Sequence, residues 1–316
     1  MRRTYRGFTL IEVLIGISLG ALITAALAQV LALASRDYRR ADVIMTLHEQ
    51  AEVALRFLRQ DLRLAGYWGL AGAAVRIRGR SQAGAPNPLT LAQPRRCSPE
   101  LTFDLAAFVS VANSPDSWAC AQPAVTDSDV LVTRFAQPDP AVATPGRLQI
   151  HAGSVDAQLL DDGQLVHNTQ PATLHNLQVM AYYVARESAL FSALPVLRRL
   201  TLSATTNGPV FIDEEVAPGV ELMQLAVAVD TTADGAADTW LHAGDPNLAA
   251  RNAAYRPVAT PLAVKVWLVM RSTDAHWPDA PPAHYRIGDL DYRAPADGHL
   301  RIVVEQTVAL RNAKHQ

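Results

Sequence analysis

The chain has 316 residues, 49% of them hydrophobic, and a formal net charge of −2. That is enough chain for a membrane helix plus a head domain with its own core. A charge so near zero gives no electrostatic case for nucleic acid as the main partner.

Met1 to Gly7 carries Arg2, Arg3 and Arg6, and from Phe8 to Ala34 the only ionisable side chain is Glu12. About 20 such residues cross a bilayer as a helix, the one conformation that gives every backbone group an internal partner. A carboxylate inside a spanning segment is a functional candidate by default. The plainer reading is a Glu near the helix end, solvated by headgroups. A basic start before an apolar run also describes a secretory signal peptide, and Ala26-Leu27-Ala28 offers a small-residue cleavage site before Gln29. Two features argue against it: Glu12 interrupts the run where a signal peptide should be most apolar, and the run continues past Gln29 to Ala34. Charge leaves the orientation open, because Arg36, Arg39 and Arg40 balance the leader arginines. Gly16 and Gly20 form a small-xxx-small pair of the kind that suits close helix packing.

The run Gly7-Phe8-Thr9-Leu10-Ile11-Glu12 resembles the class III signal of type IV pilins and type II secretion pseudopilins. The resemblance implies that a prepilin peptidase cuts between Gly7 and Phe8, that Phe8 is then N-methylated, and that Glu12 serves subunit assembly. It also implies a leader in the cytoplasm and the remainder outside.

The helix is expected to continue beyond the membrane. Apolar residues recur at Ile44, Leu47, Ala51, Ala54, Leu55, Leu58, Leu62 and Ala65, the spacing of one helical stripe. Glu49, Glu52, Arg56, Arg59, Gln60, Asp61 and Arg63 read as the opposite, solvated face. Gly66 is a natural stop. The exit Asp61-Leu62-Arg63-Leu64-Ala65-Gly66-Tyr67-Trp68-Gly69 resembles that of PilW-family minor pilins.

Residues 72–125 are rich in proline and read as an elaborated surface region. Cys97 and Cys120 lie there. One cysteine pair in an exported chain reads as a disulfide, worth roughly 3 kcal/mol for a loop of about two dozen residues. From about residue 129 the pattern turns to strands: Val130–Phe135, Arg147–Ile150, Val179–Val184, Val196–Leu202, Leu222–Val229, Val264–Met270 and Leu300–Val308. Tyr182-Tyr183, Leu197-Arg198-Arg199, Gly219-Val220-Glu221 and the ending Val308-Ala309-Leu310-Arg311-Asn312 again resemble PilW-family tails.

Asp230, Asp234 and Asp238 surround Gly235 and are a weak calcium candidate. A plain Asp-Gly hairpin turn explains the same residues. No catalytic or phosphate-binding motif occurs. His175, His276 and His284 read as surface or hydrogen-bonded residues, and Asp161-Asp162 and Glu214-Glu215 as solvated turns. No enzyme, no cofactor and no metal are expected.

The fold expected is α+β: a long N-terminal helix, transmembrane in its first half, packed on a mainly antiparallel β-sheet head, pilin-like. The divisions are a leader at 1–7, a helix at 8–66 with its membrane segment at 8–34, an irregular disulfide-pinned region at 67–128 and a β-rich head at 129–316. The resemblance implies a minor pilin that waits in the inner membrane with its head in the periplasm. It then enters the pilus, outside the cell, through its N-terminal helix. The partners implied are the peptidase, other minor pilins and the major pilin, and a tip adhesin; no nucleic acid is expected. The other readings are a J-type minor pseudopilin of type II secretion and a membrane-anchored periplasmic binding domain.

Overall fold

The computed structural model describes residues 7, 9–79, 91–92, 94, 97, 101, 104–113, 118, 120–165, 171–250, 257–275, 277 and 284–313. The chain forms two compact units, Met1–Thr46 and Leu47–Gln316. One helix, α1, runs through Leu10–Leu64 and contributes to both.

Within the first unit every side chain from Thr9 to Asp42 is exposed. The helix is long and apolar enough there to cross a membrane. A β-carbon added at Gly16 or Gly20 would meet open space. In the second unit α1 is amphipathic: Leu47, Ala51, Ala54, Leu55, Leu58 and Leu62 are buried, with Ala65 just beyond. This is the stripe that three-and-four spacing predicts. Gly66 stops the helix with φ of 76°, the left-handed conformation glycine adopts without penalty.

Among the described residues the head of the second unit is built from fourteen strands in three sheets. The large sheet contains β1 (Ile77–Arg78), β2 (Val109–Asn113), β3 (Asp129–Ala136), β4 (Gln149–Gly153), β5 (Ala157–Leu160), β6 (Ala172–Ala185), β7 (Val196–Thr205) and β8 (Gly208–Pro218). Its spine is β1-β5-β4-β6-β3-β2, and β6 also pairs with β7, which pairs with β8. Pairing is antiparallel throughout except between β1 and β5. The second sheet runs β10 (Thr239–His242), β9 (Val220–Asp230), β11 (Thr260–Arg271), β14 (Arg301–Ala309). A third, two-stranded sheet of β12 (His284–Ile287) and β13 (Leu290–Arg293) packs Ile287 against Leu222 and Val269 of the second.

The seven expected strands all occur. The structure adds β1 and β2 within the span expected to be irregular, along with the short β5, β10, β12 and β13. It also adds β8, and here the expectation that Glu214-Glu215 is a solvated turn is corrected. Both residues lie in β8 and pair with β7, Glu214 opposite Arg199 and Glu215 opposite Arg198. The non-local arginines give these carboxylates a strand environment that local polarity conceals.

The chain passes from the large sheet to the second in a single residue, Gly219, between β8 and β9. Its φ is 79°. Its amide donates to Pro195 O at 2.8 Å, and its carbonyl accepts from Arg271 N at 2.7 Å. A β-carbon there would stand 2.9 Å from Arg271 O, a backbone atom that cannot swing aside. Gly219→Ala is therefore expected to destabilise the head by about 1–3 kcal/mol. Urea unfolding of the full chain in detergent checks this; an unchanged midpoint would show that the corner relaxes freely.

Candidate assembly segment and the joint between helix and head

The N-terminal segment is built around a capping box. Thr9 precedes the first helical residue, and Glu12 lies three positions on. The Thr9 amide and hydroxyl both donate to Glu12 Oε2 at 2.9 Å, and the Glu12 amide donates back to Thr9 Oγ1 at 3.4 Å. This Thr-x-x-Glu pattern satisfies amides that an α-helix leaves without partners at its start. The signal is local, Thr9-Leu10-Ile11-Glu12, yet taken as a carboxylate in an apolar run Glu12 does not show its capping role. Gly7 has no side-chain or backbone neighbour within 4 Å of where a β-carbon would stand. Phe8, the expected methylation site, and Met1 to Arg6 lie outside the described residues.

At its other end α1 is fastened to the sheet by polar contacts. Asp61 is expected from the sequence on the solvated face, and the structure corrects this: it is 5% exposed. The reason is positional, since residue 61 falls three after Leu58 and seven after Ala54, on the apolar stripe itself. The Tyr182 hydroxyl, from β6, donates to Asp61 Oδ2. Arg199, from β7, brings Nη1 to 3.9 Å from the same oxygen, and its Nη2 donates to Glu214 Oε2 of β8 at 3.3 Å. The guanidinium also lies 5.2 Å from the centre of the Phe57 ring. Burial raises the Asp61 carboxyl above its ordinary value, against the pull of the Tyr182 hydroxyl and of Arg199. Burial likewise drives the Tyr182 phenol well up, and the Asp61 charge adds to it. The tyrosine therefore stays a donor.

The helix end is closed from two sides. Gly66 N donates to Arg134 O of β3 at 3.0 Å, and Ala136 N donates to Tyr67 O at 2.6 Å. The Asn312 side-chain amide donates to the carbonyls of Arg63, Leu64 and Ala65, at 3.4, 3.3 and 3.1 Å. These carbonyls lie at the helix end, where the intrahelical ladder runs out, so Asn312 caps the C-terminal end of α1. Arg134, 3% exposed, donates from Nε to Leu101 O at 2.9 Å and from Nη1 to Ser110 Oγ at 2.9 Å.

Cys97 and Cys120 are joined by a disulfide with Cα atoms 5.3 Å apart. Next to it, Gln122 N donates to the Tyr183 hydroxyl at 2.9 Å, and that hydroxyl donates to Asp213 Oδ2 at 2.8 Å. Trp118 meets the Tyr183 ring edge-on. The disulfide loop is thus tied to β6 and β8.

The aspartates of the calcium candidate are occupied by their own loop. Asp230 accepts from the amides of Thr232, Ala233 and Gly235 at 3.1, 2.6 and 2.7 Å. Asp238 accepts from Thr231 N at 2.7 Å, and Asp234 from Ala236 N at 2.8 Å. Among the described residues no group of three or more His, Cys, Asp or Glu is arranged to hold a metal. Of the singled-out histidines, His175 is buried and bonds through its two ring nitrogens to Gln137 O and Thr173 Oγ1, both at 2.8 Å. His284 is exposed against Asp291, and His276 lies outside the described residues. Asp161 accepts from Ala92 N at 2.6 Å.

Tyr182→Phe is expected to cost about 1–3 kcal/mol, because it leaves a buried carboxylate short of a donor. Asp61→Ala with Tyr182→Phe should cost less than the sum of the two single changes, by about 1 kcal/mol or more. Urea unfolding of the four chains measures this, and strict additivity would show that the contact contributes nothing to the joint.

A family profile described as "Type IV Pilus-assembly protein W" (PilW) matches residues 181–312. That span holds Tyr182, Arg199 and Asn312, the sheet and tail residues that grip α1. A profile described as "Prokaryotic N-terminal methylation motif" matches residues 2–28. No curated protein sequence matches the chain. Among solved structures, a type IV-like pilin from Thermus thermophilus, TTHA1219, aligns with a TM-score of 0.41 at 15% identity, over 84% of this chain and 98% of its own. With the methylation motif at its start and the PilW match through part of its sheets and its tail, the chain is similar to the PilW family of type IV pilus-assembly proteins.

Proposed function

We propose that the chain is a minor pilin of the type IV pilus and acts as a structural subunit without catalysis. In this reading it waits in the inner membrane on α1 with its head in the periplasm, and there joins other minor pilins. The complex primes pilus assembly and ends near the tip, in contact with the major pilin and available to a tip adhesin. The observation that carries the reading is the N-terminal segment: a Gly7-Phe8 bond, then Thr9 capping a helix whose one charged side chain before Arg36 is the carboxylate of Glu12.

Processing precedes assembly. Prepilin peptidase cuts between Gly7 and Phe8, and Phe8 becomes the N-methylated first residue. Cutting creates an amine at Phe8. Between neighbouring subunits, that amine and Glu12 form an opposite-charge pair in hydrocarbon, where each offsets much of the other's desolvation cost. Pairing of this kind favours one axial register between helices.

Gly7→Leu is expected to leave a full-length, membrane-retained chain, while mass spectrometry of the unaltered protein finds methylated Phe8 at its N-terminus. Gln29 at the N-terminus would instead establish the signal peptide. Glu12→Ala is expected to keep normal membrane level and lose most piliation, counted by electron microscopy. Normal piliation at normal level, with normal co-purification of the other minor pilins, would end the assembly role of Glu12.

A further inference from the structure

β9 is paired along one edge by β11, but on its other edge β10 reaches only Ala226–Val229. Beyond that point the edge of β9, buried and without a strand partner, is met by residues 127–129 and by Ala243 N, which donates to Leu225 O at 3.3 Å. Ser128 Oγ accepts from Met223 N at 3.1 Å and donates to Met223 O at 3.4 Å. Gln224 Nε2 donates to Asp127 O at 2.7 Å, and Leu225 N donates to Asp129 Oδ2 at 2.7 Å. Asp127, with φ of 63°, turns the chain so that these groups face β9. Residues 127–129, leading into β3, stand in for the missing strand and sew the large sheet to the second.

Asp129 is the unusual member of this seam. It is 3% exposed, and among the described residues it forms no ion pair. Its donors are neutral: the Leu225 amide, and the Asn113 side chain of β2. With its nitrogen turned inward, Asn113 donates to Asp129 Oδ1 at 3.2 Å and to Ala243 O at 3.0 Å. The charged and titratable groups around it bring no compensation. Asp289, on the β12–β13 turn, is itself negative. His242, at the end of β10, lies 3.9 Å from Asp289. Asp127 enters the seam through its carbonyl, and Asp245 caps the one-turn helix Pro246–Ala249 by accepting from Asn247 N at 2.9 Å. Burial pushes the Asp129 carboxyl up to about 7, with the Leu225 amide pulling against the rise and Asp289 adding to it.

We propose that Asp129 is a proton-operated latch on the seam between the two sheets: neutral, it seals the β9 edge onto β3, and its ionisation loosens that edge. The sign is opposite to that of an ion-paired carboxylate. In an opened seam the carboxyl meets water and returns toward its ordinary value of 3.8, while closed it holds its proton up to about 7. Within that window the closed seam binds more protons, so closure weakens as pH rises through it and becomes independent of pH above it. The latch follows from the fold alone and holds whether or not the chain enters a pilus. A head outside the cytoplasm would sense the acidity of its surroundings through it.

The test is amide hydrogen exchange at Met223 and Leu225 in the full-length protein in detergent micelles, corrected for the intrinsic pH dependence of exchange. The opening constant is expected to rise about tenfold per pH unit from about pH 5 to about pH 7 and then level off. Amides of β11 facing β14 should show no such rise. In Asp129→Asn, whose side-chain oxygen can still accept from Leu225 N, the rise should vanish. In Asp289→Asn the levelling-off should move to lower pH, because one source of the upward push is gone. A flat profile in the unaltered protein, or an unaltered profile in Asp129→Asn, would overturn the latch, as would loss of the profile in His242→Gln. Should Asp129→Asn fail to fold, carbon-detected NMR of the Asp129 carboxyl in the unaltered protein decides. A midpoint near 7 supports the latch, and one near 3.8 overturns it.

Discussion

Seating α1 on the sheet takes Asp61 out of water. An isolated buried carboxylate costs several kcal/mol, so the seat exists only where the sheet supplies what water gave. Tyr182, Arg199 and, behind them, Glu214 do so from three neighbouring strands, β6, β7 and β8. The apolar stripe alone would not fix the position of the helix. Leu47, Ala51, Ala54, Leu55, Leu58 and Leu62 repeat at short intervals, and a shift by one turn would bring similar side chains to similar places. One directional contact removes that freedom. With the position set, Gly66 falls beside Arg134 and the last carbonyls of α1 fall within reach of Asn312.

How much of this is legible in the sequence follows from where each partner lies. The helix is legible because its signal is local and long: an uncharged run, then a stripe, then Gly66. The seven main strands are legible because β-branched runs alternate with turn residues. Asp61 is not, because its reason for being buried sits on strands more than a hundred residues later in the chain; its position on the stripe is the available sign. β8 is hidden for a related reason. Asp213-Glu214-Glu215 looks solvated until Arg198 and Arg199 are placed opposite, where Arg198 donates to Asp213 at 2.9 Å and to Glu215 at 2.8 Å. The Thr9–Glu12 capping box is fully local and open to reading. The seam at Asp129 is not, since an Asp opening a strand gives no hint that another strand's amide will seek its oxygen.

The head is held together by polar and backbone devices of different kinds. Gly219 passes the chain between them at a corner too tight for a β-carbon. Arg301 of β14 reaches across the second sheet to Glu221 of β9 with two donors, at 2.6 and 2.9 Å, while Asp297 accepts from the same guanidinium at 2.7 and 2.8 Å. The Arg301 bonds hold the Asp297 carboxyl well below the usual range. This cluster is saturated with opposite charge and indifferent to pH near neutrality. The seam at Asp129 has no cation among the described residues and is the reverse. On this proposal one head contains a polar joint that ordinary acidity leaves alone and another that it governs, and the difference among the described residues is the guanidinium of Arg301.

The first unit obeys another logic. From Thr9 to Asp42 the helix buries none of its side chains within this chain. Leu10, Ile11, Leu14, Ile17, Leu22 and Leu31 stand more than half exposed, a length of apolar surface that water would not tolerate. Folding of the head cannot account for it, because the packing that explains Leu58 or Leu62 is absent there. The information in this stretch concerns a surrounding that the chain does not itself supply, a bilayer or the same segment of other chains. Glu12 is the one carboxylate in that stretch before Asp37, and among the described residues Thr9 holds it. A hydroxyl and an amide can orient a carboxylate but cannot neutralise it. On the proposed reading, the charge left over gives this end of the helix a reason to seek a cationic partner, and the free amine that processing would create at Phe8 is chemistry able to provide one.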